Sequence, residues 1–413
     1  MTLPSERVVV TGLAYVTSLG FGHEDHEPAL RAGRVGSGPI RRFDTRGFRT
    51  ATGGQCDEAR LDGLLRQRWS GAQLRGLDVD TRMLLWSVAA ALDDAGLAPE
   101  SLPAPLPAVV GTTLEGFWQG EKWYDQVFHG SLSRARPARL RTATSGGQIA
   151  AVSRLLRLPM EPTVVSNACA TGVSAIGRLF RRIAHGSCQA GLAGGYDTLT
   201  RFIHLGFDSL GALTPQRCAP FDRKRSGFFI GDGAAMLVLE SLSSARRRGA
   251  RIRAELLGYG ESADSYHATH PEPSGIGIAG AILQCLHAAR IDPSKVDYVN
   301  AHGTATPAND SAEANGILLA FGPGDGARVP VSSTKALVGH TLGAAGAVEQ
   351  CFCILALERG FLPPQANLEE PDPECPLNLV RDPRGAPRVA MNNAFGFGGA
   401  NGVLLSRRWE EKP

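Results

Sequence analysis

The chain has 413 residues, and 43% of them are hydrophobic, which supplies a sizeable core and argues against disorder along the whole chain. The formal net charge is only +3, and no long basic run is interleaved with aromatic side chains, so a nucleic-acid surface is not indicated. No apolar stretch reaches about 18 residues, and the N-terminus lacks a basic segment followed by an apolar one. We therefore expect a cytoplasmic protein that does not enter a membrane.

Strand-like and helix-like stretches alternate along the chain. Runs of β-branched and apolar residues predict strands at 7–11, 108–111, 163–165, 234–240, 296–300 and 329–333. Apolar residues at helical spacing predict helices at 83–96, 147–156, 171–185, 243–249, 278–289 and 343–357. This alternation predicts an α/β fold with buried sheets.

The pattern divides near Arg251, where a second strand-rich half begins with the stretch 253–259. We expect an N-terminal half at residues 1–250 and a C-terminal half at 251–413. The halves share no letter-for-letter repeat. They share an arrangement in which a strand of small residues ends at a chemically active side chain and a Gly/Ala-rich helix follows.

The eight cysteines show no regular spacing and no CxxC pair, which argues against a zinc site or a disulfide framework. Cys351 and Cys353 lie in an apolar helical stretch and are predicted to be core residues. Cys169, in NACATG, differs because it stands between a predicted strand and a predicted helix. A thiol at a helix N-terminus is expected to favour the nucleophilic thiolate.

Three further segments place polar residues in unusually small surroundings. His302 follows the strand at 296–300 within AHGTATP. His340 comes five residues after Lys335 in SSTKALVGHTLGAAGAVE, ahead of a helix that opens on Gly and Ala. The last segment is NNAFGFGGANG near the C-terminus. We expect all three to meet NACATG at one point.

In combination, order and approximate spacing, these segments resemble the β-ketoacyl-acyl carrier protein synthases, specifically the elongating type with one Cys and two His. The likeness covers nearly all of the chain and includes PFDRKRSGFFIGDGAAMLVLE and ADSYHATHP. It implies a thiolase-like α/β fold whose duplicated halves form a five-layer αβαβα sandwich. It also implies a decarboxylative Claisen condensation of malonyl-acyl carrier protein with an acyl group held as a thioester on Cys169. The product would be a 3-ketoacyl-acyl carrier protein, in fatty-acid or polyketide chain elongation.

The resemblance assigns roles to individual residues. It makes Cys169 the acyl-accepting nucleophile and makes His302 and His340 the decarboxylation pair. Two neutral imidazoles can each supply one N–H donor to the enolate oxygen. Lys335 is implied to organise the histidines, with Glu349 as its ionic partner, because a carboxylate in a packed Gly/Ala/Val helix needs one.

Supporting positions are implied in the same way. The backbone N–H groups of Cys169 and Phe397 form the oxyanion hole, Phe397 can also gate the acyl pocket, and Asp310 supports the site. The side chains implied to contact the phosphopantetheine arm of the carrier protein are Thr304, Thr306, Phe395 and Phe397. No resident cofactor and no catalytic metal are implied. The positions that match a structural cation site of relatives, or equally a set of hydrogen-bonded side chains, are Asn300, Glu349, Asn392 and Asn393.

Two departures from the family pattern concern partners. Glu161-Pro162 stands where relatives commonly have Gly-Pro, and residues 133–141 are unusually basic where the dimer face is expected. The partner subunit is therefore either an identical chain or a related ketosynthase-like subunit. Candidates for the surface that binds the acidic carrier protein, or for an ordinary solvated face, are Arg66, Arg68, Arg75 and the arginines within 134–141.

The main alternative is a ketosynthase subunit paired with a non-catalytic chain-length-factor partner in a dissociated polyketide system. Retention of Cys169 with both histidines argues that this chain is not itself the silent subunit. A thiolase would need a second catalytic cysteine near the C-terminus, and none follows Cys375. An initiating synthase would carry Asn in place of His340. A cysteine hydrolase has no evident use for the second histidine and Lys335.

Overall fold

The computed structural model of the chain describes residues 6–99, 102, 104–130 and 137–411. Its strands are β1 Val8–Thr17, β2 Gly20–Phe21, β3 Gly38–Pro39, β4 Thr52–Gly53, β5 Leu106–Gly111, β6 Met160–Val165, β7 Ala190–Asp197, β8 Gly233–Ser241, β9 Ala254–Ala263, β10 Tyr298–Asn300, β11 Pro330–Ser332, β12 Asn378–Leu379, β13 Val389–Gly396 and β14 Ala400–Arg408. Its helices are α1 Gly22–Arg31, α2 Glu58–Arg66, α3 Gly71–Leu74, α4 Val79–Asp94, α5 Phe117–Phe128, α6 Ser145–Leu156, α7 Thr171–Ala184, α8 Arg201–Ser209, α9 Leu242–Arg247, α10 Ile276–Ala289, α11 Pro307–Gly326, α12 Lys335–Val338 and α13 Ala345–Arg359.

Five strands of each half have the same order and the same directions. The N-terminal set runs β6-β5-β7-β8-β1 and the C-terminal set runs β11-β10-β13-β14-β9. In both sets the first two pairings are parallel and the last two are antiparallel. The sets join where Val8–Val10 of β1 pairs with Ala254–Leu256 of β9. This equivalence supports the division into halves, whose boundary at residue 250 stays a prediction.

The apolar core alternates between the two faces of each strand set, as expected for sheets buried on both sides. One cluster joins α2, α4 and α6 to the outer face of the N-terminal strands. A second cluster joins α7 and α13 to strands of both sets. A third joins α10 and α11 to the outer face of the C-terminal strands. One layer of helices therefore lies between the two strand layers, and one layer of helices covers the outer face of each. This gives the five-layer αβαβα arrangement.

The predicted strands and helices all have counterparts, with differences at their ends. Helix α4 begins before the predicted start because the Asp78 side chain caps it, accepting a hydrogen bond from the Thr81 N–H at 2.9 Å. The predicted helix at 343–357 begins instead as a 3₁₀ turn, Leu342–Ala344, that leads into α13. Strand β7, AGLAGGYD, was not predicted because it contains no β-branched residue. Within the described ranges no helix is both long and apolar enough to cross a bilayer.

The carboxyl ends of the parallel strands in both sets point toward one region. In the N-terminal set these are β5, β6 and β7, and in the C-terminal set they are β10, β11 and β13. In open α/β sheets, ligands bind outside the carboxyl ends of such strands. Each of the four sequence segments that we expected to meet follows one of these ends or contains it.

Candidate active site

Cys169 lies in a tight turn between β6 and α7. Ala168, the residue before it, has a φ of +46°, which L-residues rarely adopt. The turn is held by the Thr171 hydroxyl, which donates to the Ala168 carbonyl at 2.6 Å and accepts from the Asn167 N–H at 2.7 Å. The side chain of Cys169 is thereby presented at the start of α7, in the strand-to-helix position that the sequence predicts.

The electrostatic surroundings of Cys169 differ from the expectation. Burial raises the pKa of the thiol to about 11, although the Lys335 ammonium and a hydrogen bond from the Phe397 backbone N–H both favour the thiolate. The position at a helix N-terminus thus does not produce a resting thiolate, because the cost of burying the charge is larger. The structure corrects that part of the sequence prediction: near neutral pH the thiol is protonated.

His302 follows β10 and is fixed by a carboxylate that the sequence analysis missed. Glu313 of α11 accepts the His302 N–H at 2.8 Å with Oε1 and the Gly303 N–H at 2.7 Å with Oε2. Asn393 donates to the same Oε1 at 3.2 Å. Burial raises the pKa of Glu313 to about 7, against these hydrogen bonds. No local sequence pattern marks Glu313, because its partners are backbone groups eleven and ten residues away in the chain.

His340 is held by backbone contacts on both sides. Its N–H donates to the Phe229 carbonyl at 2.8 Å, and its carbonyl accepts from the Gly231 N–H at 3.0 Å. The ring Nδ1 accepts the Leu342 N–H at 3.1 Å, so the proton of the neutral ring lies on Nε2. That Nε2 is buried and has no partner among the described residues. It is therefore available as a hydrogen-bond donor.

The structure brings these three side chains together. The Cys169 Sγ and one ring nitrogen from each of His302 and His340 all lie within 4.8 Å of one another. The two imidazole rings are nearly perpendicular, at 82°, with centroids 5.4 Å apart. Burial and the nearby Lys335 charge hold the pKa values of both histidines well below 6.5. Both rings are neutral at pH 7, as the two-donor mechanism requires.

Lys335 begins α12 and points into the protein. Its Nζ lies 2.5 Å from Glu349 Oε1, and both side chains are almost fully buried. Burial raises the pKa of Glu349 to about 7, while Lys335 opposes that rise. The pairing expected between these two residues is thus present in the structure.

The C-terminal glycine-rich loop approaches the nucleophile closely. A Cβ on Gly396 would lie 2.8 Å from the Cys169 backbone nitrogen and 2.9 Å from the Ala168 Cβ, so only glycine fits there. The Phe397 side chain is 38% exposed, and its ring lies 5.8 Å from that of Phe207. Phe395 lies two residues earlier, in β13, and the centroid of its ring is 5.8 Å from that of His302.

A cavity of about 400 Å³ leads from the surface to these residues. Its lining includes Cys169, both histidines, Phe395 and Phe397, together with Thr304 and Thr306. The hydroxyls of Thr304 and Thr306 lie 2.9 Å apart. Asp310 is buried near Thr304 and Thr306 and does not line the cavity. It accepts the Phe221 N–H at 2.8 Å and the Ala305 N–H at 3.1 Å. Burial raises the Asp310 pKa to about 6.

The side chains of the four candidate cation ligands are all buried, but they do not all point toward the same place. Asn392 donates to the Gly346 carbonyl of α13 at 2.8 Å, whereas Asn393 contacts Glu313 of α11, on the other side of β13. Asn300 exchanges weak hydrogen bonds with Thr334. Among these four residues, the buried oxygens without a hydrogen-bond partner in the described ranges are Glu349 Oε2, Asn392 Oδ1 and Asn393 Oδ1.

Of the basic candidates, Arg66, Arg68 and Arg75 are exposed. Arg68 is already paired with Asp93 at 2.6 Å. Arg134 and Arg136 lie outside the described residues. The structure adds Arg49, an exposed side chain whose Nη1 lies 3.3 Å from where a Cβ on Gly211 would be, and Gly211 lines the cavity.

Comparison with known proteins agrees with this geometry. The N-terminal domain of the β-ketoacyl synthase family matches residues 5–245, and the C-terminal domain of that family matches residues 253–369. The 3-oxoacyl-[acyl-carrier-protein] synthase 2 of Coxiella burnetii is 36% identical over 98% of this chain and 99% of its own length.

Two solved structures are also similar over nearly all of both chains. The ishigamide ketosynthase/chain length factor is 35% identical, with a TM-score of 0.91 over 98% of this chain and 100% of that one. A type II polyketide ketosynthase, solved with its acyl-carrier protein and bound to the hexaketide, is 27% identical, with a TM-score of 0.88 at the same coverage. With a thiolase-like fold and a Cys-His-His site, the chain belongs to the β-ketoacyl synthase family of condensing acyltransferases.

Proposed function

We propose that the protein extends an acyl chain by decarboxylative condensation with malonyl-acyl carrier protein. The observation that carries this proposal is the clustering of one partly buried thiol with two neutral imidazoles, within 4.8 Å of one another, at the end of an open cavity. The thiol suits covalent storage of an acyl group, and the imidazoles suit stabilisation of an enolate. A hydrolase needs only one of the two histidines.

In the first half-reaction, the Cys169 sulfur attacks the carbonyl of a carrier-bound acyl thioester. Backbone N–H groups of Cys169 and Phe397 stabilise the tetrahedral oxyanion. The carbon–sulfur bond to the carrier breaks, and the proton that leaves Cys169 ends on the carrier thiolate. Because the resting thiol is protonated, its proton must leave during the attack.

In the second half-reaction, the malonyl thioester loses carbon dioxide, and the electron pair of the broken bond forms an enolate. Its oxygen receives N–H donors from His302 and His340. Lys335 contributes by disfavouring protonation of both rings, so that each remains a neutral donor. The enolate carbon then attacks the acyl carbonyl, the bond to the Cys169 sulfur breaks, and the thiolate takes a proton from water.

The carrier protein would bind around the mouth of the cavity. Thr304 and Thr306 offer hydroxyls to the amides of the phosphopantetheine arm, and Phe397 gates the acyl side. Arg49 is the best-placed cation for the acidic carrier surface, since it borders the cavity and forms no ion pair in the described part of the chain. Arg66 and Arg75 are further candidates.

Charge reversal tests this surface. We expect Arg49→Glu to raise the KM for carrier-bound substrate with little change in kcat. Arg328→Glu, an exposed reversal two residues beyond the C-terminal end of α11, is the matched control. Equal kinetics of both variants would rule out docking at Arg49.

The edge of β6 suits pairing with a second subunit. Residues 161–164 of this edge strand are exposed, and no strand pairs with its outer side in the described ranges. Long unprotected edges are usually covered. We propose a dimer across this edge, with either an identical chain or a chain-length-factor-like subunit. Similarity to the ishigamide ketosynthase/chain length factor favours keeping the second option.

A structural cation near Glu349, Asn300 and Asn392 remains a proposal, supported by the unpartnered oxygens of Glu349 and Asn392. Asn393 lies on the opposite face of β13 and would contribute less directly. The ion would have a structural role and take no part in the reaction. Cytoplasmic location is likewise proposed from the sequence.

The decisive assay supplies acyl and malonyl carrier proteins and measures 3-ketoacyl product and carbon dioxide. We expect Cys169→Ala to abolish condensation. We expect replacement of His302 or His340 to abolish carbon dioxide release while acyl transfer to Cys169 continues. Full condensation by Cys169→Ala would overturn the mechanism. Purification from the source cell, with a search for a related second subunit, separates the two assemblies.

A further inference from the structure

Asp197 is a buried carboxylate with hydrogen bonds to two separate segments of the site. It is the last residue of β7 and is 2% exposed. Its Oδ1 accepts the Thr112 hydroxyl at 2.7 Å and the Leu114 N–H at 3.1 Å. Its Oδ2 accepts the Thr113 hydroxyl at 2.6 Å and the Gly343 N–H at 2.7 Å. The first three groups follow β5 in the N-terminal half, and Gly343 belongs to the C-terminal half.

Gly343 lies in the turn that orients His340. The residue before it, Leu342, donates its N–H to His340 Nδ1 and has a φ of +55°, which is strained for leucine. A strained turn persists only when its surroundings hold it. A Cβ on Gly343 would lie 2.6 Å from Asp197 Oδ2, so the turn rests directly on this carboxylate.

We propose that Asp197 is a positioning residue that holds the 341–343 turn and thereby keeps His340 in its Nε2–H form. This inference rests on the proposed function, in which His340 Nε2 donates to the enolate. Asp197 touches no reacting atom. It acts through two successive backbone amides: it accepts from Gly343, and Leu342 donates to the imidazole.

The charge of Asp197 has a separate effect on the nucleophile. It is one of the groups that raise the pKa of Cys169. Removing this charge should therefore ease ionisation of Cys169, while loss of the contact with the turn should impair decarboxylation. The two half-reactions are expected to respond in opposite directions.

Asp197→Ala removes the negative charge and both acceptor oxygens, so the contact with the turn is lost. Asparagine does not test that contact cleanly, because backbone N–H groups donate to both oxygens. Thr113 and Leu114 donate to Oδ1, and Thr113 and Gly343 donate to Oδ2. The amide oxygen can therefore keep the Gly343 contact.

The matched control is Thr113→Val. It removes one hydroxyl donor but keeps the carboxylate charge and the Gly343 contact. We expect D197A to lower kcat for malonyl-carrier decarboxylation by about 10-fold to 100-fold, as for loss of one oriented donor, with KM changed less than about twofold. We expect faster alkylation of Cys169 by iodoacetamide at pH 8. T113V should match the wild type in decarboxylation.

A direct readout is the nitrogen NMR spectrum of histidine-labelled protein, with His340 assigned by its loss in His340→Asn. The wild type should show an unprotonated Nδ1, and D197A a mixture of tautomers or a protonated Nδ1. A protonated Nδ1 in the wild type would overturn the proposal without any need for a folded variant. Unchanged decarboxylation in D197A would also overturn it.

Slower decarboxylation together with slower alkylation and a lowered melting temperature would mean a purely structural role, and would also overturn it. Failure of the proposed function gives a different result. In that case the wild type releases no carbon dioxide from malonyl-carrier protein, whereas the tautomer measurement still decides the role of Asp197.

Discussion

The Nζ of Lys335 lies 2.5 Å from Oε1 of Glu349, and neither side chain reaches solvent. Removing one member of such a pair leaves the other charge buried without compensation, which typically costs about 3–5 kcal/mol. Replacing both by apolar residues is often neutral for stability. The pair therefore allows its structural and chemical contributions to be measured separately.

We expect Glu349→Gln to lower the free energy of unfolding by about 3 kcal/mol, measured by urea denaturation. The double variant Lys335→Met/Glu349→Leu should recover most of that loss. It should nevertheless decarboxylate more slowly at acidic pH, because the cation that disfavours protonation of both histidines is gone. Equal stability of the single and double variants would contradict a compensated buried pair.

The histidine pair predicts the shape of the pH profile. An imidazole with an ordinary pKa would become half protonated near pH 6.5 and lose its role as a neutral donor. Since burial and Lys335 hold the pKa values of both rings well below 6.5, protonation begins only at lower pH. Decarboxylation of malonyl-carrier protein by Cys169→Ala should stay level from about pH 8 to about pH 6. A decarboxylation rate that falls with a midpoint near pH 6.5 would contradict the claim that burial keeps both histidines neutral.

Gly396 should be intolerant of a single methyl group. An added Cβ would lie 2.8 Å from the Cys169 nitrogen and would push away the loop that carries the Phe397 N–H. We expect Gly396→Ala to slow acyl transfer by about 100-fold, comparable to loss of one oxyanion-hole donor. Transfer can be followed by mass spectrometry of acylated Cys169.

The matched control for that variant is Gly280→Ala. This glycine lies on the exposed side of α10, and its nearest neighbour to a new Cβ is at 3.9 Å. It should retain full acyl transfer and gain slight stability. Normal transfer in Gly396→Ala would mean that the loop can move away without loss of the oxyanion hole.

Glu313→Gln tests the support of His302. Both carboxylate oxygens accept backbone N–H groups, but glutamine offers only one oxygen and places an NH₂ against the other donor. We expect decarboxylation to fall at least about tenfold. Leu319→Ala, an exposed change on the same helix, should have no effect on it. An active Glu313→Gln would show that Gly303 and His302 keep their places without the carboxylate.

The sequence predicted the groups that perform the chemistry better than the groups that hold them. Cys169, His302 and His340 stand in short motifs whose small neighbours make room for a substrate, so the motifs reveal them. Glu313 and Asp197 act on backbone N–H groups supplied by distant segments, which no local pattern records. The Cys169 pKa was mispredicted for a related reason: the helix start is a local feature, whereas burial depends on the whole fold.

The surface that binds the carrier protein likewise depends on the whole fold more than on local sequence patterns. Arg66, Arg68 and Arg75 are predicted either to bind the carrier protein or to be ordinary solvated side chains, and one of them, Arg68, already has an acidic partner. Arg49 follows Arg41, Arg42 and Arg46 in the sequence, and clustering does not distinguish it from them. Only the packing of its side chain beside Gly211 places it at the mouth of the cavity.

Three non-glycine residues with left-handed backbone accompany the three catalytic side chains. They are Ala168, Ala305 and Leu342, with φ of +46°, +59° and +55°. A left-handed L-residue costs roughly 1–2 kcal/mol, and glycine would relieve that at an entropic cost of roughly 0.5–1 kcal/mol. Selection for heat resistance alone would therefore accept glycine at these positions. Glycine at any of the three should therefore raise the melting temperature while the backbone around the nucleophile and both histidines keeps its conformation.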